Sequence, residues 1–592
     1  MTSIRFPLLI AAVLSTSCAS AAGREVPDHA TATWSDSVLA TMTIREKAAQ
    51  MVWPTVWGDY VATDAPQWQR VEDWIRDERV GGFTMSVGSP LEIAAKLNAM
   101  QRMSRVPLLI GADLEFGAGF RARGGYFMPG GYELGGAVVF PPQMGLGATR
   151  DTALAYRQGE ITALEGRAIG MHFAYAPILD VNNNPANPVI NTRAYGADPS
   201  LVSAMGTAFI RGVQDHGMIA TGKHFPGHGD TGVNSHLALP VVTASRARLD
   251  SVELVPFRDA VQAGVGAIMS FHGAMPALDP SNDPGTLSRA VLNGVLREQL
   301  GFQSMIISDA MDMRGVLDRY GAREAAIRAV AAGADVLIQP LDVTETIDAV
   351  VAGVSTGRYS EERLDASVRR ILRYKEQLGL QHGAEVSLDS ARAVVGREAH
   401  HAAAREVAER SITLVRDSAR VVPLRNGARV MSVTFARRGD YLAGRAFDAE
   451  LRTAVPRLRT EFVDADDPDA HIARVLEAAA EFDVVIIGSY VTHSWNATTV
   501  EAPRAFADLV ARAGAGGAST IVVALGNPYL LQQIPSVRGY LVAWGGLPVS
   551  QQAAARALTG RAPIGGRLPI PIPPLAEFGA GLNRPGSATE QR

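Results

Sequence analysis

Between residues 30 and 380, short uninterrupted runs of apolar and β-branched residues alternate with longer stretches whose apolar positions recur at helical spacing. Eight such runs predict strands at 48–57, 80–87, 107–115, 172–181, 218–225, 264–271, 304–310 and 333–339. Amphipathic segments such as 91–103, 151–170, 198–216 and 314–332 lie between most of them. Strands with no polar alternation are covered on both faces, as in a parallel sheet flanked by helices. Eight strand–helix units in about 350 residues predict an α/β fold of the (β/α)₈ TIM-barrel type with enlarged loops. An open doubly wound sheet is the alternative.

A long charged helix over 360–378, stopped by Gly379, closes the first series. Residues 381–396 read as a linker. A second alternating series follows, with strands expected at 411–415, 429–435, 458–463, 483–489, 520–526 and 539–544. It predicts a second domain over 397–582, an open α/β sandwich. The polar stretch 583–592 is expected to be a loose tail.

Composition narrows the class. Apolar residues make up 47% of the 592, enough to build packed cores, so disorder is excluded for most of the chain. Lys plus Arg number 56 and Asp plus Glu 60, a net charge of −4 with no basic run, which gives nucleic acid no footprint. At the N-terminus Arg5 precedes the apolar run 6–14, too short to span a bilayer, and Ala19-Ser20-Ala21 has a cleavage pattern. Residues 1–21 therefore read as a signal peptide, and the protein as exported, to a periplasmic or secreted location. The lone cysteine, Cys18, excludes an intrachain disulfide and offers a lipid-anchoring alternative.

In a barrel of this kind chemistry belongs at the carboxyl ends of the strands. The third run ends on Asp113 and Glu115. The fourth leads through Asp180 into a loop carrying Arg193. The fifth continues as Lys223-His-Phe-Pro-Gly-His-Gly-Asp-Thr-Gly-Val-Asn-Ser-His236, the sixth ends before His272, and the seventh leads to Asp309. A carboxylate at the position of Asp309 is a nucleophile, a base, a metal ligand or a helix cap. His224, His228, His236 and Asp230 read as a metal site, as a loop carrying a proton-transfer histidine, or as solvated loop residues. Gly227, Gly229 and Gly232 suggest a mobile lid.

The loop Lys223–His236 closely resembles that of glycoside hydrolase family 3, in its bacterial β-N-acetylglucosaminidase branch. Asp113-x-Glu115 with Arg121, Ala176-Pro-Ile-Leu-Asp180-Val, Asn187-Pro-Val-Ile-Asn-Thr-Arg193 and Ser308-Asp309-Ala-Met-Asp-Met resemble further segments of that family. Arg410-Ser-Ile-Thr-Leu-Val and Gly565-Gly-Arg-Leu-Pro569 resemble the second domain of its two-domain members. The resemblance implies a retaining exo-glycosidase that cleaves terminal β-linked N-acetylglucosamine through a glycosyl-aspartate intermediate. It implies Asp309 as nucleophile, His236 as acid/base, and Asp113, Arg121, Arg193, Lys223 and His224 as sugar-binding residues. The expected partner is a small carbohydrate, with no metal or other cofactor, no nucleic acid and no membrane span. Asn234 stands where the family has an aspartate partner for the histidine, and Asp230 is the candidate substitute. A β-glucosidase of the same family, a weakly active sugar-binding homologue and a metallohydrolase are the other readings.

Overall fold

The structure, a computed structural model, describes residues 33–126, 133–492, 496 and 498–586. The expected signal peptide and Cys18 lie outside the described residues. Among the described residues, no helix is long and apolar enough to cross a membrane.

The first domain contains strands β1 (Val52–Trp53), β2 (Thr55–Val56), β3 (Gly82–Met85) and β4 (Leu109–Ala112), then a hairpin of β5 (Arg123–Tyr126) and β6 (Glu133–Gly136). Next come β7 (Phe173–Ala174), β8 (Ile219–Phe225), β9 (Ala267–Ser270), β10 (Met305–Ile307) and β11 (Leu337–Ile338). Seven strands form one parallel sheet in the order β2-β3-β4-β7-β8-β9-β10. The ring closes because β11 pairs with β1, Val52 against Leu337, and Val336 bridges to Ile307. This is a (β/α)₈ barrel, and each of the eight expected runs contains strand, at the start of 172–181 and near the end of 333–339. Its strands read as unbroken apolar runs because both faces are covered: every residue of β8 is buried.

The helices follow from local signals. Thr43 and Glu46 form a reciprocal capping box for Ile44–Gln50. Asp198 caps Pro199–Asp215, with proline at its first position. The helix Arg314–Ala332 is broken at Gly321, whose φ is 66°. Residues 381–396, expected as a linker, carry a helix, Leu388–Val394, whose Ala391 packs into the barrel core. His400 is buried and bonds Glu165, which also accepts from the backbone of Gly396.

The second domain holds β12 (Thr413–Asp417), β13 (Val430–Ala436), β14 (Arg459–Asp464), β15 (Val484–Ser489), β16 (Ser519–Ala524) and β17 (Gly539–Val542). Their order is β12-β17-β16-β15-β13-β14, parallel except for β12 at one edge. Alternate residues serve opposite layers: Val485, Ile487 and Val522 join one core, and Val484, Ile486 and Ile521 the other. Of the expected tail, Arg584 is held by Asp417 at 2.7 Å and by backbone pairing with Ile564.

Candidate active site

A cavity of about 440 Å³ opens at the carboxyl ends of the barrel strands. Asp113 and Glu115 follow β4, Tyr175 follows β7, Lys223 and His224 sit within β8, Asp309 follows β10 and Gln339 follows β11. Loops add Arg121, Arg193, His228 and His236. A regular strand sends successive side chains to opposite faces. The register of β8 against β9 shifts between Gly222 and Phe225, and both Lys223 and His224 reach the cavity.

One wall is a charged network. Lys223 Nζ lies 2.8 Å from both Asp113 Oδ1 and Glu115 Oε1. Arg121 pairs with the other oxygen of Asp113. Arg193 grips Glu115 with both arms, at 2.6 and 2.9 Å. Burial pushes the Asp113 carboxyl up, but Lys223 and Arg121 outweigh it and hold Asp113 well below the usual carboxylate range. Glu115 is held low in the same way by Arg193 and Lys223. For Lys223, burial favours the neutral amine, yet the two carboxylates raise its pKa and keep it charged. The network thus presents fixed ionic donors and acceptors of the kind that bind hydroxyls most strongly.

The floor beside it is built on Asp180. This buried carboxylate accepts from His224 Nδ1 at 2.8 Å, from the His224 N–H at 3.2 Å and from the His228 N–H at 2.6 Å. His228 lies over Phe271, ring centroids 4.2 Å apart, and burial pulls its pKa down to about 3, so the ring is neutral. Its Nδ1 meets Thr231 Oγ1 at 2.8 Å and its Nε2 meets Ser235 Oγ at 3.0 Å. Asn187 fastens the same loop, donating to the carbonyls of His228 and Gly229 at 2.8 and 2.9 Å. The glycines have tighter jobs than mobility. A Cβ on Gly229 would sit 1.7 Å from the Val181 carbonyl oxygen, while only Gly232 has open space.

Beyond this anchored stretch comes His236. Its backbone N–H donates to Asn234 Oδ1 at 3.0 Å, which fixes the amide with its oxygen toward the histidine. The ring Nδ1, 2.9 Å from the same oxygen, is therefore the donor. In the neutral ring, Nε2 then carries the lone pair. Burial lowers the His236 pKa and the nearby charge of Asp309 raises it, with burial the larger. Asp309 itself accepts from the Ala310 N–H at 2.8 Å. Burial raises its pKa, but His272, His224, His236 and that N–H together hold it below the ordinary value, so it is ionised. Asp230 sits elsewhere, 4.0 Å from Arg248. Asn234, not Asp230, meets the His236 ring. Among the described residues no three His, Cys, Asp or Glu side chains are grouped to hold a metal ion.

The glycosyl hydrolase family 3 N-terminal domain matches residues 43–374, and the C-terminal domain of that family matches 326–582. The chain belongs to glycosyl hydrolase family 3. A Cellulomonas fimi family relative, a β-N-acetylglucosaminidase/β-glucosidase, is 31% identical over 84% of this chain and 89% of its own. The structure of a family 3 β-N-acetylglucosaminidase from Paenibacillus sp. str. FPU-7 superposes with a TM-score of 0.79 at 33% identity, covering 90% of this chain and 99% of that one. A β-glucoside phosphorylase bound to 2FGlc gives a TM-score of 0.80 at 25% identity, covering 91% and 96%.

In this family 3 glycoside hydrolase the sequence motifs flag most of the polar wall. They assign no task to Glu115, Asp180 or His272. His272 is buried between Thr286 Oγ1, 2.8 Å from Nδ1, and the Ala310 carbonyl, 2.9 Å from Nε2, so it braces the backbone next to Asp309. Phe116, Phe120 and Tyr175 line the cavity without any motif to announce them. Tyr175 has room because β4 carries Gly111, where a Cβ would lie 2.1 Å from the Tyr175 hydroxyl. Gln339 was legible only as the last residue of the eighth apolar run.

Proposed function

We propose that the protein hydrolyses terminal β-linked N-acetylglucosamine with retention of configuration. A carboxylate oxygen of Asp309 attacks the anomeric carbon as the glycosidic C–O bond breaks, and protonated His236 gives its Nε2 proton to the leaving oxygen. Asp309 is then an ester and has lost its charge. That charge is what raises the His236 pKa, so the ring now favours its neutral form and takes a proton from the attacking water. Water restores the Asp309 carboxylate and releases the sugar. Asp113, Glu115, Arg121, Arg193, Lys223 and His224 hold the sugar hydroxyls.

The observation that carries this reading is that Asp309 and loop residue His236 line one cavity and influence each other's ionisation, with Nδ1 of His236 tied to Asn234. The names of the Cellulomonas and Paenibacillus relatives support the N-acetylglucosamine substrate. A second reading makes phosphate the acceptor. It is favoured by the likeness to a β-glucoside phosphorylase and by an acid/base pair, His236 and Asn234, with no negative charge to repel phosphate.

Assaying a chromogenic N-acetyl-β-glucosaminide beside the β-glucoside, each with and without phosphate, tests both points. Faster release from the N-acetylglucosaminide, yielding the free sugar, is expected. Preference for the glucoside contradicts the substrate assignment, and a sugar 1-phosphate product establishes phosphorolysis instead.

A further inference from the structure

We propose that the second domain acts in catalysis as a clamp on the loop that carries Arg193, with Asn527 and Tyr529 as positioning residues. Loop 182–196 runs from the end of the fourth barrel unit and presents Arg193 to Glu115. Two of its asparagines reach across to the other domain. Asn182 Nδ2 donates to the Tyr529 hydroxyl at 3.0 Å, and Asn191 Nδ2 donates to Asn527 Oδ1 at 3.3 Å. All four residues are buried.

The acceptor on the second domain is itself fixed. Asn527 Nδ2 donates to the Val500 carbonyl at 2.7 Å, and its Oδ1 also accepts the Tyr529 N–H at 3.1 Å, so its amide has one orientation. Asn527 and Tyr529 follow directly from β16, a rigid element. On the loop side, Asn191 adopts a left-handed φ of 40° and opens the single turn Asn191–Arg193. The loop's far end is held as well. The Ala197 N–H donates to the Pro569 carbonyl at 2.9 Å, and a Cβ on Gly196 would meet that oxygen at 2.4 Å.

The barrel holds the middle of the loop through Asn187 and Asn183. The second domain holds its two ends through Asn182, Asn191 and Ala197, next to Arg193, whose Nη1 also reaches the Val189 carbonyl at 3.2 Å. Arg193 orients Glu115, and Glu115 shares Lys223 with Asp113. Loosening the clamp therefore blurs the charged wall of the pocket, while Arg193 acts on His236 only through its charge. The proposal rests on the reading of that wall as sugar-binding.

The test uses full-length enzyme and four forms: wild type, Tyr529→Phe, Arg193→Ala and the double variant. Tyr529→Phe leaves the Asn182 amide unpaired, and its KM for the N-acetylglucosaminide is expected to rise about tenfold with kcat changed far less. Adding it to Arg193→Ala is expected to cost nothing more, since both act through one group. Multiplied effects in the double variant, or an unchanged KM in Tyr529→Phe, overturn the clamp. Hydrogen exchange reads the clamp apart from substrate: faster exchange confined to 182–196 in Tyr529→Phe supports it, and unchanged exchange overturns it. Faster exchange there together with an unaltered KM in Arg193→Ala would instead remove Arg193 from the sugar-binding set.

Discussion

Burial lowers the His236 pKa while the charge on Asp309 raises it, and Asn234 supplies an acceptor without a charge. As the proposed acid, His236 must be protonated to act, so the alkaline limb of the rate profile is expected to follow this pKa. Replacing Asn234 with Asp sets a negative charge within hydrogen-bond reach of the ring, where Asn234 Oδ1 lies 2.9 Å from Nδ1. That favours the imidazolium and raises the pKa. The alkaline limb of kcat/KM is expected to move up by about one unit in Asn234→Asp, and kcat for disaccharides to rise. A profile measured against pH that does not move would show that Asn234 only holds the loop. Single residues were legible where a local motif carries them, as for Lys223, His224, His236 and Asp309. Phe116, Phe120 and Tyr175 escaped because their place in the cavity depends on which strands are neighbours around the barrel, a non-local fact.

Each of the fourteen expected runs in the two domains contains strand; the barrel strands are shorter than their runs, while β12, β13 and β14 are as long as theirs. Runs such as 172–181 continue past β7 into turns that are equally buried, because the loops over the pocket are themselves packed. Helix 314–332 hid its break, since Gly321 is cheap to tolerate in a helical pattern. The closing helix Glu361–Gln377 carries a cost that pattern alone does not reveal. Lys375 is fully buried, donates to Gln50 Oε1 at 2.6 Å, and burial brings its pKa down to about 7. The titratable neighbour is His172, which burial keeps neutral. Above pH 7 the unfolded chain binds a proton at this lysine that the folded chain lacks. Stability therefore rises with pH from about 7 toward 10, by roughly 1 kcal/mol per unit from this group. Lys375→Met is expected to lose that slope in urea midpoints taken at pH 7 and pH 9. Equal pH dependence in both proteins would place the charge elsewhere.

In the whole molecule, two α/β domains meet at the loop that borders the cavity. The barrel gathers a charged wall, an ionised carboxylate and an anchored histidine loop around one cavity, and the second domain reaches in through Asn527 and Tyr529. The order of domains was readable from two series of alternating elements. Their mutual contacts were not, because Asn182 and Tyr529 are 347 residues apart and neither belongs to a chemical motif. In the proposed mechanism Asp309 forms the covalent bond to the sugar. Incubating the enzyme with a mechanism-based fluorinated N-acetylglucosaminide, followed by proteolysis and mass spectrometry, tests it directly. The label is predicted on the peptide carrying Asp309; label on any other carboxylate, Asp113 or Asp312 included, would contradict it.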